Sequence, residues 1–301
     1  MLRVTSSNGG VTVDAPAKVN LTLRVVGRRP DGYHDLESVV AGVALCDRLR
    51  FEAGEGLSLT CDDPAIPSGD DNLILKAARL LREFCGVDRG ARIYLRKHVP
   101  AGRGFGGGSS DAAAALAGLN ALWQCGKSSA ELACLGARLG SDVPLFFESP
   151  VVVMRGRGER VEPVAARPHW YAALVWPAFG NPTADVYAAY DRQPMSADGR
   201  PGATEILKFM EGPACEAAPF LVNDLEPAAR SLRSDGLSVR TLLERAGAAA
   251  VGMTGSGSAY FALTDALAEA RRLVDAARAG GAEAVAAALE GDSQHVQGDT
   301  P

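Results

Sequence analysis

The stretch Val99-Pro100-Ala101-Gly102-Arg103-Gly104-Phe105-Gly106-Gly107-Gly108-Ser109-Ser110-Asp111 runs straight into Ala112-Ala113-Ala114-Ala115-Leu116, and it restricts the fold more than any other part of the chain. Five of the seven residues from 102 to 108 are glycine, which leaves few side chains on the loop. Glycine admits positive φ and lets backbone N–H groups approach a ligand closely. Successive N–H groups in such a loop form a concave anion site. The alanine run behind it is a strong helix former, with Ser109 or Ser110 available as N-cap. A helix start offers unpaired donors and the positive end of the macrodipole, so phosphate is its natural guest. The stretch reads as a loop that wraps a nucleoside triphosphate. The competing reading is a tight turn whose glycines only permit close strand–helix packing.

Two familiar phosphate motifs do not fit. Gly102-x-Gly104-x-x-Gly107 matches the dinucleotide fingerprint, and the strand-like Ile93-Tyr94-Leu95 precedes it. That fingerprint also needs a second strand carrying an acidic residue about 20 positions on. Here residues 125–140 read as a loop and a helix. A Walker A loop needs lysine just before its Ser/Thr, and Gly108 stands in that place.

At 301 residues the chain has room for one large domain or two moderate ones. A hydrophobic content of 47% is ordinary for a protein with a real core. The net charge of −5 argues against broad nucleic-acid or membrane-surface binding. Residues 1–10 lack the apolar core of a signal peptide, and no apolar run approaches the ~18 residues that span a bilayer. Cys46, Cys61, Cys85, Cys125, Cys134 and Cys215 form no C-x-x-C pair and read as buried thiols in a reducing cytoplasm.

Residues 11–13 and 19–26 read as strands. Lys18, within Ala15-Pro16-Ala17-Lys18-Val19-Asn20, is flanked by small and apolar residues; it either snorkels from an edge or is aimed at an anion. The turn Arg28-Arg29-Pro30-Asp31-Gly32-Tyr33-His34 delivers Tyr33 and His34. These either cap a hairpin or serve a flat heterocycle, one ring stacking and the other hydrogen-bonding. Strands follow at 39–45, 48–51, 57–60 and 92–99, with a helix capped by Asp70-Asp71-Asn72 before the last.

Beyond the glycine loop, helices over 110–123 and from 128, the second with a Ser128–Glu131 capping box, lead to Gly140-Ser141-Asp142-Val143-Pro144. Asp142 is either a turn aspartate or a carboxylate made more basic by Val143, Leu145 and Phe146. A hairpin over 151–158 carries Arg155 and Arg157, which read as a solvated turn in preference to a phosphate contact. Residues 163–168 read as a domain junction. A strand at 171–176, a Pro-started helical turn at 181–187 and a polar loop at 191–203 follow, then helices at 204–211, 225–233, 236–246 and 265–279. Gly252-Met253-Thr254-Gly255-Ser256-Gly257-Ser258-Ala259-Tyr260-Phe261 reads as strand–turn–strand, its small turn closing either a plain hairpin or a ligand site. Residues 291–301 read as a disordered tail.

Four of these segments stand in one order: Pro16-Ala17-Lys18-Val19-Asn20 with Asp31-Gly32-Tyr33-His34, residues 100–113, Gly140-Ser141-Asp142-Val143-Pro144, and Thr254-Gly255-Ser256-Gly257. Together they resemble the GHMP superfamily of small-molecule kinases. The Lys-x-Asn and Gly-Tyr-His combination resembles its diphosphocytidyl kinases in particular. That resemblance implies a two-domain α+β GHMP kinase fold: a ribosomal-protein-S5-like N-terminal domain over 1–163, a ferredoxin-like C-terminal domain over 164–290, and an active site in the cleft between them. It implies ATP-dependent phosphorylation of the C2 hydroxyl of a cytidine-diphosphate-linked methylerythritol, with Mg2+, in the non-mevalonate route to isoprenoids.

By the same resemblance residues 100–110 hold the ATP phosphates, Asn72 and Lys97 lie on the adenosine side, and Ser110 is the metal's hydroxyl ligand. Asp142 accepts the proton of the acceptor hydroxyl, with Lys18 beside it and the γ-phosphate. Asn20 orients the acceptor, Tyr33 and Tyr187 sandwich the cytosine, His34 reads its polar edge, and Gly255 and Ser256 contribute to the substrate site. Arg103 and Phe105 depart from the small and aliphatic residues usual there, and Asp111 has to face away from the nucleotide. The implied partners are small molecules, with neither nucleic acid nor membrane, for a cytoplasmic monomer or weak homodimer.

Overall fold

The computed structural model describes residues 2–7, 9–192, 200–232 and 239–290. The chain opens with β1 (Arg3–Ser7) and β2 (Gly10–Asn20), antiparallel with Val4 opposite Val13. β3 (Arg24–Arg28), β4 (His34–Gly54) and β5 (Leu57–Cys61) follow. The interruptions suggested by Pro16 and by Cys46-Asp47 are not there, and β2 and β4 run through them. Packing explains the first: Ala15, Ala17 and Val19 are all fully buried, so the apolar run stays extended past the proline.

Helix α1 (Leu73–Cys85) starts where Asn72 Oδ1 accepts from Ile74 N at 2.8 Å and stops at Gly86 in the left-handed region. Its buried stripe is Ile74, Leu75, Ala77, Ala78 and Leu81. After β6 (Gly90–Arg96) come α2 (Gly107–Trp123) and α3 (Ser129–Gly136), the latter with the expected capping box at Ser128 and Glu131. A 3-10 turn over Pro144–Phe147 leads to β7 (Val151–Gly156) and β8 (Arg160–Pro163).

The remaining elements are β9 (Tyr171–Trp176), α4 (Thr183–Arg192), a 3-10 stretch over Ala203–Phe209, the short α5 (Ala214–Ala217), α6 (Glu226–Ser231), α7 (Val239–Arg245), β10 (Ala250–Met253), β11 (Tyr260–Thr264), α8 (Leu267–Ala279) and β12 (Glu283–Ala288). The sequence leaves β12 unassigned, because Glu-Ala-Val-Ala-Ala-Ala is helix-forming by propensity. Pairing with β9, with Val285 opposite Leu174, makes it a strand.

Contacts divide the chain into two compact units that interleave along the sequence. The first comprises the chain up to Ala17, Leu45–Ala101 and Gly106–Ser149. Its sheet has the order β1-β2-β4-β6-β5, with β5 and β6 parallel, and α1 packs on α2. Val13, Leu49, Phe51, Leu81, Ile93, Leu116 and Leu119 are fully buried there.

The second unit comprises Lys18–Ala44, Gly102–Phe105 and the chain from Pro150 onward, so the expected junction at 163–168 lies inside it. Here the first half of β4 pairs with β3 and β7, and β7 with β8. A separate antiparallel sheet has the order β10-β11-β9-β12, which with α8 between β11 and β12 is the split β-α-β arrangement of a ferredoxin-like domain. Val175, Val186, Leu243, Ala262 and Leu273 belong to its core.

None of the six cysteines is fully buried: Cys46, Cys61, Cys85 and Cys125 are half-buried, and Cys134 and Cys215 are exposed, since Leu132, Leu135, Ala214 and Ala217 take the inward faces of α3 and α5. No helix among the described residues is long and apolar enough to cross a membrane. The tail at 291–301 and most of the 191–203 loop lie outside the described residues.

Candidate active site

In the first unit the glycine loop feeds α2 one turn earlier than the hydroxyls suggest. Gly106, at φ 74 and ψ 12, is the N-cap, with no side-chain cap bond. Glycine takes this left-handed conformation without the Cβ penalty, so the helix begins at Gly107 and both serines fall inside its first turn. Ser110 is fully buried, and its Oγ has no hydrogen-bond partner among the described residues. A buried orphan hydroxyl at the positive end of a helix fits an incoming phosphate or a cation carried by one. Among the described residues no three His, Cys, Asp or Glu side chains cluster to hold a metal.

Asp111 is buried in an ion cluster. Its Oδ2 lies 2.9 Å from Lys97 Nζ, and the same ammonium pairs with Asp47. Asp47 Oδ1 accepts in addition from His98 N at 2.6 Å and Val99 N at 2.8 Å. A Cβ on Gly107 would come within 3.0 Å of Lys97 Nζ, so this cluster sits against both the start of the loop and the start of α2. Lys97, expected on the adenosine side, thus has its ammonium engaged by two carboxylates. Burial opposes its charge, but the two carboxylates outweigh burial and raise its pKa. Burial, and then the charge of Asp47, push Asp111 up to about 7.

That shift has a definite sign. The folded chain keeps a proton on Asp111 that an unfolded aspartate loses near pH 4. Stability therefore falls as pH rises from about 4 to about 7 through this group. Asp111→Asn is expected to flatten the dependence, read from urea unfolding at pH 5 and pH 8. An unchanged difference between the two pH values would contradict the assignment.

Asn72 uses both ends of its amide locally, the oxygen on Ile74 N and Nδ2 on Pro67 O at 2.7 Å. Asp142 is half-buried in the turn before the 3-10 segment, and Val143, Leu145 and Phe146 beside it are fully buried.

In the second unit Gly102–Phe105 is fastened by the two residues that depart from the family's pattern. Arg103 Nη2 donates to Ala178 O at 2.6 Å, and Phe105 is fully buried edge-on to Trp176, centroids 5.8 Å apart. Gly104 has φ 93, and a Cβ there would meet Thr254 O at 2.4 Å, so no other residue fits. Lys18 N donates to Phe105 O at 2.9 Å, while its ammonium does not snorkel: the residue is 4% exposed, and Nζ donates to Asn20 Oδ1 at 2.5 Å.

Asn20 is the hub of this part. Its Oδ1 also accepts from Gly255 N at 3.0 Å, its Nδ2 donates to Ser38 Oγ at 2.8 Å, and its backbone N–H donates to Thr254 Oγ1 at 3.0 Å. The turn after β10 therefore does more than close a hairpin. Thr254, quoted in the sequence motif but given no role there, also donates to Gly104 O at 3.2 Å. Ser256 Oγ lies 2.9 Å from Thr183 Oγ1.

Tyr33, His34 and Tyr187, the residues expected around the base, all belong to this unit. Tyr33 is 58% exposed, with the Arg157 guanidinium 4.8 Å from its ring centre. Tyr187 stacks on His34, with centroids 4.9 Å apart and planes 22° apart. Asp191, read from the sequence as the start of a loop, is in the last turn of α4 and bonds His34 Nε2 at 2.7 Å. Its spacing of four from Tyr187 on a helix was the available signal. Lys18 belongs to the second unit and Asp142 to the first.

Residues 72–149 match the sequence profile of the GHMP kinases N terminal domain, and residues 216–283 that of the GHMP kinases C terminal domain. The chain is 43% identical over 267 residues to 4-diphosphocytidyl-2-C-methyl-D-erythritol kinase of Pelotomaculum thermopropionicum, covering 87% of this chain and 92% of that one. The enzyme of the same name from Hyphomonas neptunium is 43% identical, with 86% and 88% covered. A crystal structure of 4-(cytidine 5'-diphospho)-2C-methyl-D-erythritol kinase superposes with TM-score 0.79 at 38% identity, over 93% of this chain and all of the other. Homoserine kinase from Cytophaga hutchinsonii shares the fold, with TM-score 0.69 at 18% identity over 97% of this chain and 98% of the other.

Proposed function

We propose, from the premise that the chain belongs to the 4-diphosphocytidyl-2-C-methyl-D-erythritol kinase family of the GHMP kinases, that it transfers the γ-phosphoryl group of ATP to the C2 hydroxyl of 4-diphosphocytidyl-2-C-methyl-D-erythritol. The observation that carries this is the likeness to that kinase at 38% identity along 93% of the chain. Homoserine carries no nucleobase, so the Gly32-Tyr33-His34 segment favours the cytidyl acceptor.

Phosphoryl transfer asks mainly for positioning and for relief of spreading negative charge. Asp142 takes the proton of the C2 hydroxyl as that oxygen bonds to the γ-phosphorus and the bond to the β-phosphate oxygen breaks, releasing ADP. Lys18 offsets charge on the transferring group, and Asn20 supports it by fixing the ammonium at Oδ1. Backbone N–H groups of residues 100–110 hold the phosphates, with Asn72 on the adenosine side. Lys97 supports the loop from beneath through Asp47 and Asp111.

Ser110 Oγ, buried and without a hydrogen-bond partner among the described residues, would serve as a protein ligand for Mg2+ bound with the nucleotide. When bound, that ion neutralises phosphate charge. Tyr33 stacks on the cytosine, His34 meets its edge, Tyr187 backs His34, and Gly255 and Ser256 border the acceptor. The setting is cytoplasmic, and the protein acts as a monomer or weak homodimer.

Tyr33→Ala is expected to raise KM for the cytidyl substrate about tenfold or more, since one stacked base is worth about 1–3 kcal/mol. KM for ATP stays unchanged. Equal effects on both substrates would remove Tyr33 from the base site. The proposed reaction itself is tested by phosphorus NMR of the product. A new phosphomonoester signal on the cytidyl compound supports it; ADP formed without one overturns it.

A further inference from the structure

Three residues of α4 surround one imidazole. Tyr187, Tyr190 and Asp191 lie at i, i+3 and i+4, hence on one helix face. His34 is 8% exposed against that face, stacked on Tyr187 and edge-on to Tyr190 at 6.0 Å. Asp191 Oδ1 lies 2.7 Å from His34 Nε2, and Arg28 Nη1 stands 3.7 Å from the other carboxylate oxygen. The ring is thus held in plane by two aromatics and along its edge by one carboxylate.

An ionised carboxylate only accepts hydrogen bonds, so the proton of a neutral His34 sits on Nε2 and Nδ1 is left as a lone-pair acceptor. We infer that Asp191 is a positioning residue that fixes this tautomer, and that the fixed acceptor makes the site selective for a pyrimidine bearing an exocyclic amino group over one bearing a carbonyl there. An amino group donates to Nδ1. A carbonyl oxygen in its place faces a second lone pair, and a buried polar edge left unpaired is what separates closely similar substrates. This inference rests on the reading of His34 as the residue that meets the base.

The test compares the cytidyl substrate with its uridyl counterpart in wild type, Asp191→Ala, Asp191→Asn and His34→Ala, with 15N chemical shifts of the His34 ring read in parallel. Wild type is expected to show a protonated Nε2 and to prefer the cytidyl substrate in kcat/KM by about a hundredfold. Asp191→Ala is expected to shift the ring toward protonated Nδ1, to raise KM for the cytidyl substrate severalfold more than it lowers kcat, and to cut the preference by about tenfold. Asp191→Asn keeps an acceptor oxygen and is expected to restore most of the preference.

If His34→Ala leaves KM for the cytidyl substrate unchanged, the reading of His34 itself fails. If His34→Ala raises that KM while Asp191→Ala leaves both the ring shifts and the cytidine preference at wild-type values, the base site stands and the role given to Asp191 is overturned.

Discussion

Asp142→Asn is expected to bind ATP as wild type does and to lose kcat by about 10²–10⁴-fold, the range a positioned general base contributes. The asparagine keeps the size and polarity of the side chain but cannot take the acceptor's proton. It leaves intact the buried support of Val143, Leu145 and Phe146 next to it, so the local fold is not at stake. Titration of ATP binding beside single-turnover kinetics separates the two effects. A variant with kcat within twofold of wild type would remove Asp142 as the base. One that also lost ATP binding would move it from the acceptor to the nucleotide.

Asp47→Ala is expected to lower the unfolding free energy by about 3–5 kcal/mol, the usual loss when one member of a buried ion pair is removed. Asp47 is fully buried, and its carboxylate meets the Lys97 ammonium and two successive backbone N–H groups at the start of the glycine loop. Without it, His98 N and Val99 N lose their acceptor and Lys97 retains only Asp111. Asp47→Asn keeps an oxygen for the amides and is expected to lose less. Urea denaturation of both variants decides the point, and a change below about 0.5 kcal/mol for the alanine, the scatter of ordinary surface substitutions, would contradict the cluster's role.

Much of this site is legible in the sequence where local chemistry decides the outcome. Glycine density at 102–108, the capping box at Ser128 and the Asn72 cap act over a few residues, and the structure has them as read. Long-range partners are not legible in that way. Nothing local to Asp47 tells that it receives the amides of residues 98 and 99. Nothing near Asn20 tells that residues 254–255 close on it from far along the chain. Asp191 was hidden by an end-of-helix position that reads equally well as a loop start. The error over Ser109 and Ser110 has the opposite cause. Hydroxyls are good N-caps, but Gly106 could reach a left-handed conformation that starts the helix earlier. Strand β12 was missed because cross-strand pairing with β9 overrode alanine's helical preference.

Phosphorylation of a cytidyl-linked acceptor is tested most directly by which acceptor turns over. A coupled ADP-release assay offers the purified protein ATP with 4-diphosphocytidyl-2-C-methyl-D-erythritol, with mevalonate and with homoserine in parallel. ADP release is expected with the first acceptor at a rate far above the acceptor-free background, and at background rates with the other two. Turnover of mevalonate or homoserine with none of the cytidyl compound would contradict it.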